Sequence, residues 1–285
     1  MRKRIIGIAL LAILSLALFS QIALAVNVTY VRVVRGQEVT INLGTRTISA
    51  NAGLFGIKIG SVTYYGYCID IFHRAGTGSA SLEAPPDTGE WEDEYQSIAY
   101  IMAWYTPTPP TSISDFEAAS VQAAIWRFLF PPPLGVISPS SVVNRAIEIY
   151  DDAFGKDAIR GTSLELTFDT SSYPPNIDVI AQIDQLRDGV KIIFSATGGT
   201  LSDTVAFTDS FGTAKVTLSP PSPWTGPITV TAYTMGIKNF KIVNMVSDTR
   251  QDLIIGEPFE VSDSESIIPL AEVYSIYGYK WNDSD

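Results

Sequence analysis

The sequence is poor in the side chains that form covalent crosslinks and metal sites: Cys68 is the only cysteine and His73 the only histidine among 285 residues. One cysteine cannot form an intramolecular disulfide, so ordinary hydrophobic cores must stabilise the fold and the thiol is left over. Zinc sites draw on several Cys and His ligands, and this chain has one of each. We therefore expect no metal and no cofactor.

Basic residues are also scarce. The chain has 19 Lys and Arg residues against 30 Asp and Glu residues, which gives a formal net charge of −11 at pH 7. Nucleic acids and anionic membranes are bound through basic patches, so this balance argues against both as partners. An acidic, well-solvated surface suits a protein outside the cell.

The N-terminus has the pattern of a secretory signal peptide. A basic start, Met1 to Arg4, precedes the apolar run Ile5 to Phe19 and the small-x-small sequence Ala23-Leu24-Ala25. We predict a signal peptide over residues 1–25 and a secreted or cell-surface protein that is not membrane-inserted after cleavage. An uncleaved N-terminal anchor is the alternative, although the apolar run is short for a permanent span.

Residues 26–160 begin with strand patterns. Apolar and polar residues alternate over residues 26–48 and 53–71, which indicates strands, with a turn predicted at Gly36-Gln37. Cys68 falls near the end of a strand rich in tyrosine. Aromatic neighbours would shield a reactive group from water, and aromatic residues also simply favour strands.

The same region continues with helical patterns. Ser114 followed by Glu117 is typical of a capping box at a helix start. Gln122 and Trp126 are four residues apart on the helix that follows, so they share a face. Apolar spacing and the flanking prolines predict three helices, over residues 90–105, 115–130 and 139–154.

Residues 161–265 show short strand patterns separated by turn residues, which predicts an all-β sandwich. The run Val190 to Ala196, the pair Gly198-Gly199 and the run Ala214 to Leu218 resemble bacterial immunoglobulin-like modules of the invasin type. Such modules serve as stalks. Residues 266–285 are interpreted as a linker and the start of a further repeat, because residues 277–283 resemble the opening of the B-type repeats of Gram-positive serine-aspartate-repeat proteins.

The thiol of Cys68 and the amide of Gln122 are a nucleophile and an acyl carbon in one chain. They are 54 positions apart, so only the fold can bring them together. A thiolate that displaces ammonia from a glutamine amide leaves an internal thioester. A lysine amine could then displace the thiolate and form a stable amide.

The residues around this pair carry a family resemblance. Tyr67-Cys68, together with Val121-Gln122-Ala123-Ala124-Ile125-Trp126, resembles the thioester (TQXA) domains of Gram-positive surface adhesins. Val121 stands where that motif has Thr. The resemblance implies that Cys68 and Gln122 form the bond, with Tyr67 and Trp126 as packing neighbours.

The expected fold follows from these resemblances. It is an α+β thioester domain over residues 26–160, a β sheet or barrel with an inserted helical subdomain, followed by an all-β immunoglobulin-like sandwich over residues 161–265. The expected function is a cell-surface adhesin that captures an amine of a protein or other surface ligand. The reaction is used once, so the protein is not an enzyme.

Three other interpretations concern the same residues. A structural or noncovalent binding protein with an inert, buried Cys68 shares every feature except the thioester. A cysteine-hydrolase dyad of Cys68 and His73 is disfavoured because a separation of five along an extended strand directs the side chains to opposite faces. The acidic residues Glu90 and Glu92–Glu94 lack calcium-loop spacing and suit a helix start instead.

Overall fold

The computed structural model describes residues 25–86, 92–161, 163–173, 175–247 and 249–269. The predicted signal peptide, apart from Ala25, lies outside these ranges. So do the repeat-like segment at residues 277–283 and the first two residues of the first predicted helix.

Within the described ranges the protein is mostly β with few helices, as the sequence predicts. The helices are α1 (Glu92–Tyr105), α2 (Asp115–Leu129) and α3 (Ser140–Ala153), and a short 3-10 turn covers Pro110–Ser112. All three predicted helices are confirmed to within two residues at each described end. The strands are β1 (Val26–Asn42), β2 (Thr47–Ile59), β3 (Val62–Cys68), β4 (Gly78–Glu83), β5 (Gly135–Ser138), β6 (Leu164–Asp169), β7 (Ile177–Ile183), β8 (Lys191–Ala196), β9 (Thr200–Leu201), β10 (Val205–Phe207), β11 (Thr213–Ser219), β12 (Ile228–Met245) and β13 (Leu253–Ile267).

Six strands close on themselves. β4, β1, β2, β3, β13 and β12 pair in that order, all antiparallel, and β12 then pairs back to β4. Closure leaves no free edge among these strands. The register opposite the candidate site sets Cys68 against Leu253 and Tyr67 against Ile254. Sequence positions that are almost two hundred residues apart therefore become neighbours at the end of β3.

The predicted turn at Gly36-Gln37 is wrong, because β1 runs straight through it. Gly36 lies opposite Gly53 in β2, beside an irregularity in the register. A Cβ on either glycine would collide with a backbone carbonyl of the other strand, so these glycines permit close approach rather than a turn. The chain reverses at residues 43–46 instead, where the Leu43 N–H donates to the Arg46 carbonyl at 2.9 Å.

A second core lies between two sheets. The four-stranded sheet β6-β7-β11-β9 faces the part of the larger sheet formed by β10, β8, β12 and β13. β7 shows the expected alternation, with every second residue from Ile177 to Ile183 buried. The two inner faces bury a purely apolar cluster that includes Phe194, Val216 and Val230.

The two cores share strands, which differs from the predicted division at residues 160 and 161. β12 and β13 run through both cores: residues 230–233 of β12 pair with β8 on one side and with β13 on the other, and the residues around Val243 and Leu253 close the six-stranded ring. β13 also extends through Ile267, beyond the predicted boundary at residue 265. The sequence pattern predicts short strands and does not reveal strands of 18 and 15 residues. Each of these long strands packs into one core at one end and into the other core at the other end.

The three helices pack beside the ring of six strands, in the stretch of chain between β4 and β6. Helix α2 packs on β1, β2 and β3 and is flanked by α1 and α3. Every residue from Ala118 to Trp126 is therefore buried. In the described part of the chain, none of the helices combines the length and apolar character needed to cross a membrane.

Candidate functional site

The structure brings Cys68 and Gln122 into direct contact. Cys68 is the last residue of β3 and Gln122 lies in the middle of α2, and both are fully buried. The Cys68 backbone N–H donates to Gln122 Oε1 at 2.8 Å, and Gln122 Nε2 donates to the Cys68 carbonyl at 2.7 Å. The carboxamide is thus held against the backbone of the one cysteine by two charge-neutral hydrogen bonds.

Local sequence explains why α2 presents Gln122 there. Ser114 caps the helix, and its hydroxyl accepts the Glu117 N–H at 3.1 Å. The predicted capping box is only half formed, because the Glu117 carboxylate instead binds Arg145 of α3 through both oxygens. Small residues along α2 allow close packing against β2 and β3, and this packing removes Gln122 from water.

The Cys68 sulfur is held by its own chain. It donates to the Asp70 carbonyl at 2.7 Å and accepts from the Asp70 N–H at 3.2 Å. Burial raises the pKa of the Cys68 thiol well above its usual range, and the negative charges of Asp70 and Asp252 act in the same direction. At neutral pH the free side chain is therefore a protonated thiol.

Trp126 lies one helical turn after Gln122, on the same face of α2. Its ring is almost fully buried, and its indole N–H makes no hydrogen bond within the described residues. The residue predicted as a packing neighbour therefore also carries an unused buried donor.

Tyr67 is buried but faces a different partner. Its hydroxyl pairs with the Thr106 hydroxyl at 3.2 Å, just beyond the end of α1. Burial is the main cause that raises the pKa of Tyr67. Tyr67 therefore supports the wall that β3 forms with the helices and has no polar contact with the Cys68–Gln122 pair.

Several residues near the site carry no signal in the sequence pattern. Gln251 and Asp252 reach it only because β13 pairs with β3, and Gln251 Nε2 donates to the Asp70 carbonyl at 2.5 Å. Burial raises the pKa of the Asp252 carboxyl. Asp70 lies two residues after Cys68, and the spacing of Asp70 and His73 could have suggested their contact.

His73 lies beyond the strand on which it was predicted to alternate with Cys68. Strand β3 ends at Cys68, so strand alternation says nothing about His73. The imidazole instead pairs with the Asp70 carboxylate, and its side chain is 42% exposed. Asp70 thus contacts the sulfur through its backbone and the histidine through its side chain.

A groove of about 420 Å³ lies beside the site. Its walls come from β1, β2 and the segment after β3, and Trp126 and Gln251 also line it. Phe72 and His73 are exposed at its rim. Among the described residues, no three His, Cys, Asp or Glu side chains gather in a cluster that could hold a metal ion.

No protein-family model matches the chain. No curated protein matches it either. Among solved structures it is similar to the thioester domain of the Enterococcus faecium TIE86 protein, with 15% identity, a TM-score of 0.38 and coverage of 86% of this chain and 94% of that one. It is also similar to the Bacillus anthracis TIE protein, with 11% identity, a TM-score of 0.38 and coverage of 86% of this chain and 48% of that one. Similarity at this level assigns no family and no activity to this chain.

Proposed function

We propose that the protein is a secreted, cell-surface adhesin in which Cys68 and Gln122 form an internal thioester that captures an amine covalently. The observation that carries the proposal is the seating of the Gln122 carboxamide on the Cys68 backbone by two buried hydrogen bonds. These bonds satisfy buried polar groups of both residues, and they also bring the only glutamine amide of α2 to the one cysteine of the chain. The seating fixes the acyl carbon of Gln122 next to the residue that carries the thiol.

Formation of the bond uses groups already in place. The Cys68 sulfur attacks the Gln122 side-chain carbonyl, the thiol proton passes to the departing nitrogen, and ammonia leaves. The Cys68 N–H already donates to Gln122 Oε1, the oxygen that gains negative charge in this step. The product is a thioester between Sγ and the former amide carbon.

Capture reverses the roles of the sulfur and the incoming nitrogen. A lysine amine of a partner protein, or an amine of another surface ligand, adds to the thioester carbon and expels the Cys68 thiolate, which takes the amine's proton. The partner is then joined to Gln122 by an amide. The groove beside Trp126 offers the route, and burial of Cys68 protects the thioester from water until an amine enters. The protein is consumed in one event and is therefore not an enzyme.

The second core supplies the mechanical part of the proposal. In this proposal its two facing sheets serve as an immunoglobulin-like stalk. The strands β12 and β13 continue from these sheets into the ring that holds β3. Continuous strands transmit load through hydrogen-bonded pairs rather than through a flexible linker. An amide to a partner surface would then resist shear that dissociates a noncovalent interface.

A second candidate is a noncovalent surface protein with an inert Cys68. The full burial of the thiol and its raised pKa favour this alternative, because inert structural cysteines share both properties. The intact mass distinguishes the two candidates, because only thioester formation removes an ammonia from the chain.

The test is the intact mass of the purified protein before and after incubation with methylamine. We expect a mass short by one ammonia, a gain of one methylamine after incubation, and a crosslinked peptide pair that contains Cys68 and Gln122. Cys68→Ala should have its full mass and take up no methylamine. A wild-type protein of full mass with a titratable thiol would contradict the thioester.

Gln251→Ala is the matched control. Gln251 places a second glutamine amide at the same site, where it bonds to the Asp70 carbonyl rather than to Cys68. The variant should keep the mass deficit, whereas Gln122→Ala should lose it. If the mass deficit disappeared only in Gln251→Ala, the acyl carbon would come from Gln251 and the assignment to Gln122 would be wrong.

A further inference from the structure

The groove beside the candidate site combines apolar walls with positive charge. Its volume of about 420 Å³ falls in the range of about 300–1,000 Å³ that is typical of ligand pockets. Its apolar walls include Val33, Ile41, Ile48, Phe55 and Phe72. Among the described residues its lining also contains Arg46 and Arg74 but no Asp or Glu. The groove therefore suits a ligand that is apolar in one part and acidic in another.

The two arginines of the groove are both exposed, and neither forms an ion pair within the described ranges. The guanidinium groups of Arg145, Arg160 and Arg187, by contrast, all bind carboxylates of the chain. Acidic residues outnumber basic ones by 30 to 19, so carboxylates are plentiful. Two arginines that share one groove without a carboxylate are available to an acid from outside.

Two carboxylates of the chain contact residues that line the groove, and both are engaged there. Glu38 accepts a hydrogen bond from the Ser49 hydroxyl, and Asp70 pairs with the His73 imidazole. Neither carboxylate lines the groove itself. The positive charge of the two arginines is therefore not cancelled from within the lining.

Backbone hydrogen bonds fix the positions from which both arginines extend. The Arg46 carbonyl accepts the Leu43 N–H at 2.9 Å, in the turn between β1 and β2. The Arg74 carbonyl accepts the Gln251 N–H at 3.2 Å, which ties the segment after β3 to the start of β13. A ligand then meets two charges on an ordered backbone, and less conformational freedom is lost on binding.

The groove and the candidate thioester share a neighbour in Asp70. Gln251 lines the groove, and its Nε2 donates to the Asp70 carbonyl at 2.5 Å. The same carbonyl accepts the Cys68 S–H at 2.7 Å. Trp126, one helical turn after Gln122, lines the groove as well. A ligand held in the groove is therefore close to the Cys68–Gln122 pair.

We propose that this groove binds a peptide segment of the partner protein in which acidic and apolar side chains flank the lysine to be captured. The acidic side chains pair with Arg46 and Arg74, and the apolar side chains cover the walls. A peptide suits the lining better than a sulfated glycan, because a glycan has no apolar side chains to cover these walls. The inference rests on the proposed function for the covalent step and adds the chemical class of the partner.

The first experiment measures binding without chemistry. A fluorescent peptide with two Glu and two Leu around a central norleucine, which has no amine to capture, is titrated with the wild-type protein and followed by anisotropy. We expect saturable binding that weakens as salt is added. Matched peptides with Gln in place of Glu, or Ser in place of Leu, should each bind about 10-fold more weakly.

Protein variants then assign the contacts. Arg46→Gln and Arg74→Gln should each weaken binding of the acidic peptide about 3-fold, and the double variant about 10-fold, the scale of partly exposed ion pairs. Lys58→Gln is the matched control, because Lys58 is an exposed cation of β2 that does not line the groove. It should bind the peptide with wild-type affinity.

The second experiment restores the lysine and follows capture by intact mass. The peptide concentration that gives half the maximal rate should rise about 10-fold in the double variant, in parallel with the weaker binding. Lys58→Gln should match the wild type.

The two experiments separate the groove from the thioester. A wild-type protein that binds the norleucine peptide but has no thioester would support the groove and overturn the proposed function. A wild-type protein with a thioester whose peptide binding does not depend on Arg46, Arg74 or the Glu side chains would overturn only the groove. Binding of a sulfated disaccharide but not of the peptide, or self-association that the double variant abolishes, would also overturn it. The occupant would then be an acidic glycan or a second copy of the chain.

Discussion

The two cores treat their buried polar groups differently. In the second region, the buried Asp157 carboxylate binds both Arg160 and Arg187, and the Thr208 hydroxyl links the Arg187 carbonyl to the Val190 N–H. In the first region, Gln122 binds the backbone of a cysteine, while the indoles of Trp104 and Trp126 keep unpaired N–H groups.

Asp157 and Thr208 are paired within the second region, and their bonds connect the ends of strands. The first region holds the Cys68 thiol against the Gln122 amide, which are the nucleophile and the acyl carbon of the proposed function. Substitutions in the second region should therefore change stability alone, whereas those at the Cys68–Gln122 contact should change stability and chemistry together.

Asp157→Ala should give the largest loss of stability with unchanged capture. It leaves two guanidinium groups, each 21% exposed, without the carboxylate that binds them. Removing one partner of a buried ion pair costs about 3–5 kcal/mol, and partial exposure of both arginines places the expected loss near the lower end. Urea unfolding measures the loss, and the mass deficit of the folded variant should persist.

Lys215→Met is the control for Asp157→Ala. Lys215 pairs with Asp178 on neighbouring strands but is 53% exposed. Exposed pairs contribute about 0–1 kcal/mol, so this variant should unfold close to the wild type. If Asp157→Ala removed the mass deficit while remaining folded, the second region would take part in the chemistry. The distinction drawn between the two regions would then be wrong.

Gln122→Ala should reduce stability and abolish methylamine uptake together. It leaves the buried Cys68 N–H and carbonyl without partners, at about 1–3 kcal/mol for each unsatisfied group. Thr208→Val is the comparison in the second region, because it also removes a buried group with two hydrogen bonds. It should lose a similar free energy of unfolding and keep full uptake.

The thiol and thioester forms should differ in how their stability depends on pH. Burial raises the folded pKa of Cys68 above the unfolded value of about 8.5. Above that pH the unfolded chain releases the thiol proton while the folded chain keeps it, so stability falls by about 1.4 kcal/mol per pH unit until the folded pKa is reached. The thioester form has no thiol proton and lacks this contribution.

Urea unfolding of untreated and methylamine-treated protein between pH 7 and pH 10 measures this difference, with Cys68→Ala as the reference for all other titrating groups. The expected window is 7 to 10 because it brackets the unfolded thiol pKa of about 8.5. Parallel curves for all three proteins would show that the thiol titrates alike in the folded and unfolded chains.

The helices and the pairing of Cys68 with Gln122 were predictable from the sequence. Ser114, the proline runs and apolar spacing are local signals, and the structure places the helix boundaries accordingly. Cys68 and Gln122 were recognisable as residue types with complementary chemistry. The hydrogen bonds between the Gln122 amide and the Cys68 backbone were not predictable, because they depend on how closely α2 packs on β3.

What the sequence did not reveal depends on long-range pairing. Gln251 and Asp252 approach Cys68 only because β13 pairs with β3, and no local pattern indicates that β12 and β13 serve two cores. The role of Gly36 was misinterpreted for the same reason: glycine in a strand opposite another glycine looks locally like a turn. Alternation gives the faces of a strand but not its neighbours.

The smallest expected effect tests how far the site depends on its helix. Ser114→Ala removes the cap that accepts the Glu117 N–H and should cost about 1 kcal/mol. Because Gln122 lies two turns further along α2, inside nine consecutive buried residues, fraying at the first turn should not move it. Methylamine uptake should keep its wild-type rate while the urea midpoint falls. A slower reaction at unchanged mass deficit would mean that the helix start, and not only the buried middle, positions Gln122.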